Sequence, residues 1–357
     1  MSIFGRNYRI STFGESHCKA VGVIVDGTPS KMDFDIEYIQ KQLNRRRPGQ
    51  SDITTPRDEK DKIMIMSGIE NGKTLGTPIC AMVYNNNIRK QDYGFLDLDN
   101  YIPRPSHADY SYIMKYGTHA SSGGGRSSAR ETIGRVIAGT IAELYLSKKY
   151  NIEIVAFVSR IGNLKININK DLLNSITRED VDKTVVRCPN IEISNKMKDF
   201  IKKLQNEGDS IGGIVTCVCR NVPAGIGEPC FDKLEALLAH AMMSIPATKG
   251  FEIGSGFSCC GMKGSEHNDE FINSNGRIRT KTNFSGGIQG GISNGENIYF
   301  NIAFKPASSI SKPQNTVDLK GNYKKLEVNG RHDPCFVYRA VPIVEAMSAC
   351  VLMDYLL

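Results

Sequence analysis

Two kinds of apolar run alternate along this chain of 357 residues, and the alternation limits its folds more than any other feature. Short stretches rich in β-branched residues at 21–25, 152–158, 211–219 and 298–304 have the composition of buried strands. Between them, apolar residues recur at helical spacing. Ile36, Ile39 and Leu43 share a face that stops at Pro48-Gly49, and Val136, Ile137, Ile141 and Leu144 predict a helix over about 128–148. Leu234, Leu237, Leu238 and Met242 mark a third helix; Val344, Met347, Val351 and Leu352 mark a fourth at the C-terminus. A mixed helix-and-strand protein follows. The run Val23-Ile24-Val25-Asp26-Gly27-Thr28-Pro29, then a helix, is echoed faintly by 215–219, Pro223 and Gly225, then a helix, as a duplicated strand-loop-helix unit would leave it. The polar stretch 163–206 reads as surface. No low-complexity linker splits the chain, so one domain over 1–357 is expected.

Charge narrows the function. The net charge of +7 attracts anions, and its placement decides which. Lysines spread over helix faces, as at 196–203, whereas arginines gather in segments rich in Gly, Ser and Pro: Arg45, Arg46, Arg47, Arg104, Arg126, Arg130 and Arg331. Arginine forks grip carboxylates and phosphates at two points, which favours a small anionic ligand. The chain has no Trp, and its aromatics are not interleaved with the basic clusters, so a nucleic-acid groove is not expected. No apolar run reaches the roughly 18 residues of a membrane helix, and residues 1–10 carry no apolar signal core. A soluble protein of the cytoplasm is expected. The ten cysteines are scattered, and neither Cys217/Cys219 nor Cys259/Cys260 has metal-ligand spacing, so they read as reduced thiols and no metal is expected.

Five segments carry chemistry. In Gly14-Glu15-Ser16-His17-Cys18 a histidine sits in a turn at a strand's edge, suited to proton exchange near neutral pH or to a satisfied structural role. Arg104-Pro105-Ser106-His107-Ala108-Asp109 places an arginine and a histidine in a proline-stiffened loop, where His107 either meets a ligand or pairs with Asp109. Ser121-Ser122-Gly123-Gly124-Gly125-Arg126-Ser127-Ser128-Ala129-Arg130 leads into the long helix. Its free N–H groups form an anion site by construction, with Arg126 and Arg130 predicted on one helix face. It matches no triphosphate or dinucleotide fingerprint. Lys305-Pro306-Ala307-Ser308-Ser309 offers a cation with hydroxyls, and in Arg331-His332-Asp333-Pro334 the carboxylate fits either a base or a counter-ion.

Together these segments resemble the chorismate synthase family. Its three signatures read here GESHCKAVGVIVDGTP from Gly14, GGRSSARETIGRVIAGTI from Gly124 and RHDPCFVYRAVPIVEAM from Arg331, and RRRPGQS, RPSHADY, GEPCFDKLEA and SGGIQGGISNGENIYF look most like the fungal branch. The resemblance implies an α+β fold with helices sandwiched between antiparallel β-sheets, a homotetramer, and anti-1,4-elimination of phosphate from 5-enolpyruvylshikimate 3-phosphate to give chorismate. It also implies reduced FMN, which in this family is believed to lend an electron transiently and recover it. The substrate's two carboxylates, with a phosphate of about −1.5 to −2 charges, account for the arginines.

Residue by residue, His17 resembles the general acid for the leaving phosphate, with Ser16 beside it. His107 resembles the histidine that protonates or stabilises reduced flavin, and Asp333 the carboxylate that works with flavin in removing the C6 proton. Arg46, Arg47, Arg104 and Arg130 match substrate-anion positions. Arg126, Ser127, Ser128, Ala247, Gly290, Lys305, Pro306, Ala307, Ser308, Ser309 and Arg331 match flavin-contacting ones. Two positions depart from the pattern: Pro246 stands where Asn is common, and Asp52 stands where relatives carry a cation. A carboxylate at 52 facing a polyanion site would repel its ligands, so pairing with Arg46 or Arg57 is expected. NADPH-dependent reduction of FMN, as an added or sole activity, and RNA binding are the rival functions.

Overall fold

The computed structural model describes residues 2–54, 59–85, 101–120, 124–328 and 332–357. Its first half forms strands β1 (Ile3–Phe4), β2 (Arg9–Gly14), β3 (Ala20–Asp26), β4 (Ile63–Ile65) and β5 (Ile79–Tyr84), with helices α1 (Ile36–Arg46), α2 (Asp109–Tyr116) and α3 (Thr132–Tyr150). The second half contributes β6 (Glu153–Ile161), β7 (Leu164–Lys165), β8 (Gly213–Arg220), β9 (Thr248–Ile253) and β10 (Ile298–Phe304), with α4 (Ile191–Asn206), α5 (Leu234–Met243) and α6 (Val337–Leu356). Shorter hairpins and turns complete it. Two five-stranded antiparallel sheets result, ordered β1-β2-β3-β5-β4 and β7-β6-β8-β10-β9.

The two orders are the same. In each half the chain runs strand, strand, helix, edge strand, inner strand, long helix, so β2, β3, α1, β4, β5, α3 correspond to β6, β8, α5, β9, β10, α6. The faint sequence echo lies on β3–α1 and β8–α5, which are equivalent positions in this scheme. α3 packs on β2 and β3, α6 packs on β6 and β8, and the two long helices pack on each other between the sheets. Their sequences explain the burial: α3 is buried almost all round from Thr132 to Ala142, and α6 from Val337 to Asp354, as helices in a central layer must be.

Close approach of the central helices requires Gly139, because a Cβ there would lie 2.3 Å from the Ala346 backbone. Gly139→Ala should therefore destabilise the fold by about 1–3 kcal/mol or more through overpacking, despite alanine's better helix propensity. Denaturant unfolding would check this.

Two expectations need correction. The polar stretch 163–206 is not merely surface: Val181, Val186, Met197 and Ile201 are fully buried, and Arg187 is nearly so. Its polar composition comes from the outer faces of amphipathic α4 and two short helices. The long helix begins at Thr132 rather than near 128, because two 3₁₀ turns, Gly125–Ser127 and Ala129–Glu131, precede it. All ten cysteines are free, and Cys217 and Cys219 pack in the core of β8.

Candidate active site

β2 ends in a turn that carries Ser16 and His17. Cys18 shapes it from inside, its Sγ accepting from the Glu15 N–H at 2.9 Å. Asn85, just after β5, clasps the turn by donating to the carbonyls of Glu15 (3.1 Å) and Cys18 (2.7 Å). Ser16 is buried, and His17 is half-buried with φ of 66°, a left-handed conformation.

Asn85 also accepts from Arg130 Nε at 2.8 Å, which ties the histidine turn to the arginines. Arg130 Nη1 lies 2.6 Å from Asp61 and its Nη2 lies 2.8 Å from Glu59, while Arg46 Nη2 meets the other Asp61 oxygen at 2.7 Å. Burial alone would raise the Asp61 carboxyl, but the two guanidiniums outweigh it and hold it below the ordinary carboxylate range. Burial pushes Arg46 down to about 10, against the support of Asp61. Arg46 and Arg130 come together as their motifs require, but around buried acids that the motifs did not name.

Arg126 and Arg130 do not share a helix face. The 3₁₀ turns rotate them apart, so Arg126 donates instead to the Gly14 carbonyl (2.8 Å) and to Thr12 Oγ1 (2.7 Å). Gly124, at φ 106°, passes under His107: a Cβ there would sit 3.0 Å from the imidazole Cε1. Asp109 holds that imidazole through Nδ1 at 2.6 Å and takes a fork from Arg104 at 2.7 and 2.8 Å. His107 thus pairs with Asp109 while also lining a cavity. Burial would raise the Asp109 carboxyl, but Arg104 and His107 hold it well below the ordinary range.

The cavity, about 940 Å³, has His107, Arg126, Ser127, Ala247, Lys305, Pro306, Ala307 and Ser308 among its walls, with Phe4, Ile10 and Met347 as apolar lining. Lys305 Nζ donates to the Ser106 carbonyl (2.6 Å) and Ser308 Oγ (2.7 Å). Burial, then Lys249, lowers its pKa. Pro246 shares this wall with Ala247, whose φ is 71°. Ser309 joins through Arg104, 3.3 Å from its Oγ. Ser128 instead turns inward to accept from the Arg130 N–H, and Gly290 occupies a hairpin turn off the cavity wall. Arg331 lies outside the described residues.

Asp333 forms an ion pair with Arg339, whose Nε donates to the Arg46 carbonyl at 3.2 Å, so the third signature reaches the arginine cluster. Arg47 follows the end of α1 as its C-cap. Asp52 corrects our expectation: it pairs with Lys198 (3.3 Å) and Lys202 (2.5 Å) on α4, not with Arg46, and Arg57 lies outside the described residues. Its loop lies over α4, which turns the carboxylate away from the buried cluster. Asp52→Asn should change ligand affinity by no more than about threefold, as exposed pairs are weak, which titration calorimetry would test.

Asp61, Glu59, Asn85 and Arg339 were missed by sequence reasoning. Arg339 stood inside a signature and could have been marked there; the others gave no local signal.

Cationic and hydroxyl donors line the large cavity, and the histidine turn links its Arg126 wall to the buried arginine cluster. The sequence profile of the family described as Chorismate synthase matches residues 8–357. A chorismate synthase of Saccharomyces cerevisiae is 57% identical over 366 residues, covering 100% of this chain and 96% of its own length. One from Schizosaccharomyces pombe is 56% identical (99% and 95% covered), and one from Prochlorococcus marinus strain AS9601 is 57% identical (100% and 96%). A crystal structure of chorismate synthase superposes with TM-score 0.76 at 30% identity, covering 99% of this chain and 92% of that one. The chain belongs to the chorismate synthase family. It is a carbon–oxygen lyase acting on phosphates in the shikimate pathway, and the relatives' names favour this over the flavin-reductase alternative.

Proposed function

We propose that this chain, as one catalytic unit over its whole length, releases phosphate from 5-enolpyruvylshikimate 3-phosphate with reduced FMN bound in the 940 Å³ cavity. The observation that carries the reading is the tie between that cavity and the arginine cluster: Arg126 lines the cavity and donates to the Gly14 carbonyl at the head of the histidine turn, and Asn85 joins that turn to Arg130. The walls suit a flavin mononucleotide. Arg126, Ser127, Lys305 and Ser308 offer donors for phosphate and ribityl oxygens, and Phe4, Ile10 and Met347 offer apolar surface for a ring. By the family pattern, Ala247, Pro306, Ala307, Ser309 and Arg331 complete the set, and Ser128 and Gly290, which stand off this wall, are assigned to the cofactor by that pattern alone.

When bound, reduced FMN supplies electron density that helps the C–O bond break, with no net redox change. The protein supplies the rest. Arg46, Arg47, Arg104 and Arg130 bind the substrate's carboxylates and phosphate, with Ser16 alongside. Asp61 keeps two of these arginines from repelling each other before the substrate arrives. His17 protonates the leaving phosphate. Asp333, oriented by Arg339, receives the C6 proton. Asp109 accepts from His107 Nδ1, which leaves Nε2 for the cofactor.

NADPH serves as a reductant only if the chain also reduces its own flavin. No helix among the described residues is long and apolar enough to cross a membrane. We place the enzyme in the cytoplasm as a homotetramer that acts on this small molecule and not on nucleic acid. Purified protein mixed with substrate and photoreduced FMN, without NADPH, should yield equal amounts of phosphate and chorismate. No chorismate in that mixture, with NADPH-dependent reduction of oxidised FMN in a parallel one, would overturn the reading. Size-exclusion chromatography with light scattering tests the tetramer.

A further inference from the structure

The loop that carries Arg47 is held by polar contacts from a part of the chain that no signature covers. α1 ends at Arg46, and its last carbonyls need partners. Gln50 supplies one: its Nε2 donates to the carbonyls of Arg45 (2.8 Å) and Arg47 (2.5 Å). The other end of the same amide, Oε1, accepts from Arg187 Nη2 at 3.0 Å.

Arg187 is itself fixed at two further points. Pro342, inside α6, has no N–H for the carbonyl four residues earlier, and that Tyr338 carbonyl accepts from Arg187 Nη1 at 2.7 Å instead. Arg187 Nε lies 3.1 Å from Asp182. The residue is buried and adopts φ of 57°, a conformation that costs energy in a non-glycine residue and persists where surroundings enforce it. Beneath the loop lies a cleft of about 400 Å³, lined by Arg45, Gln50, Ser51, Asp182, Arg187 and Tyr338 among others. The Gln50 contacts run along this cleft, while the Tyr338 hydroxyl on the Ile53 carbonyl at 2.9 Å and the Arg187 contact to the Tyr338 carbonyl are buried on its inner side.

We propose that Arg187 and Gln50 form a strut from α6 to the end of α1 that positions Arg47 for the substrate's anionic groups. Both are positioning residues, and the inference rests on the reading of Arg47 as a substrate ligand.

The test uses the full-length enzyme with photoreduced FMN. Gln50→Ala should raise KM for 5-enolpyruvylshikimate 3-phosphate about tenfold, with kcat within about twofold and an unchanged thermal midpoint, the mark of lost uniform binding. Arg187→Lys keeps the charge and loses the fork, so KM should rise similarly. The double variant should be little worse than either single one, since both break the same strut. An unchanged KM in Gln50→Ala, or additive effects in the double variant, would overturn the proposal. Arg47→Ala separates the two layers. If it raises KM while Gln50→Ala does not, the strut is wrong and the site reading stands. If Arg47→Ala leaves KM unchanged, the reading of Arg47 fails and takes the strut with it.

Discussion

Replacing His17 with alanine is expected to cut turnover by about a hundred- to ten-thousand-fold, the usual contribution of a positioned general acid, with substrate affinity nearly unchanged. The backbone complicates this variant, because His17 sits at φ of 66° and alanine tolerates that region poorly. His17→Asn is the matching control, since asparagine accepts the left-handed conformation but transfers no proton. Both variants should lose turnover to a similar extent in an assay of phosphate release with photoreduced FMN. If the asparagine variant keeps most of its activity, the loss in the alanine variant comes from a distorted turn and His17 is not the acid.

The second large effect is on stability. Asp61 has a fully buried carboxylate that separates Arg46 and Arg130. Asp61→Asn keeps its shape and its tolerance of φ 44° but leaves two buried guanidiniums short of a counter-charge, a change that typically costs about 3–5 kcal/mol. Glu59 on Arg130 limits the loss, so the lower end is expected first. Urea unfolding at neutral pH would measure it, and a change below about 1 kcal/mol would mean that the cluster is internally redundant.

The acid dependence has a defined sign. Because the folded pKa of Asp61 lies below the ordinary value of about 3.9, its contribution is present above that pH and lost as pH falls through the lowered value. Acidification should therefore destabilise the parent more than Asp61→Asn. Asp109, held low by Arg104 and His107, adds to the parent's acid sensitivity in the same direction.

The strands and central helices were legible locally. β-branched runs at 21–25 and 298–304 lie within β3 and on β10, where every second residue of β10 and all of 21–25 except Ile24 are buried, so apolar side chains are required there. The helix start near 128 was misread for an equally local reason. Glycines and serines suit a helix cap and a pair of 3₁₀ turns alike, and only the pull of Arg126 toward Thr12 and Arg130 toward Asp61 separates the two.

What the amino-acid order determined by itself, then, was the kind of chemistry: arginines on glycine-rich and proline-rich loops, two histidines beside them, and the three signature segments. Tertiary structure decided which acids answer those arginines. Asp61 reaches Arg130 across 69 positions, Asn85 reaches it across 45, and Arg187 reaches Gln50 across 137. No periodicity or motif spans such distances. The pairings exist because two equivalent antiparallel sheets close over α3 and α6, and a charge so buried must find its partner wherever the chain brings one.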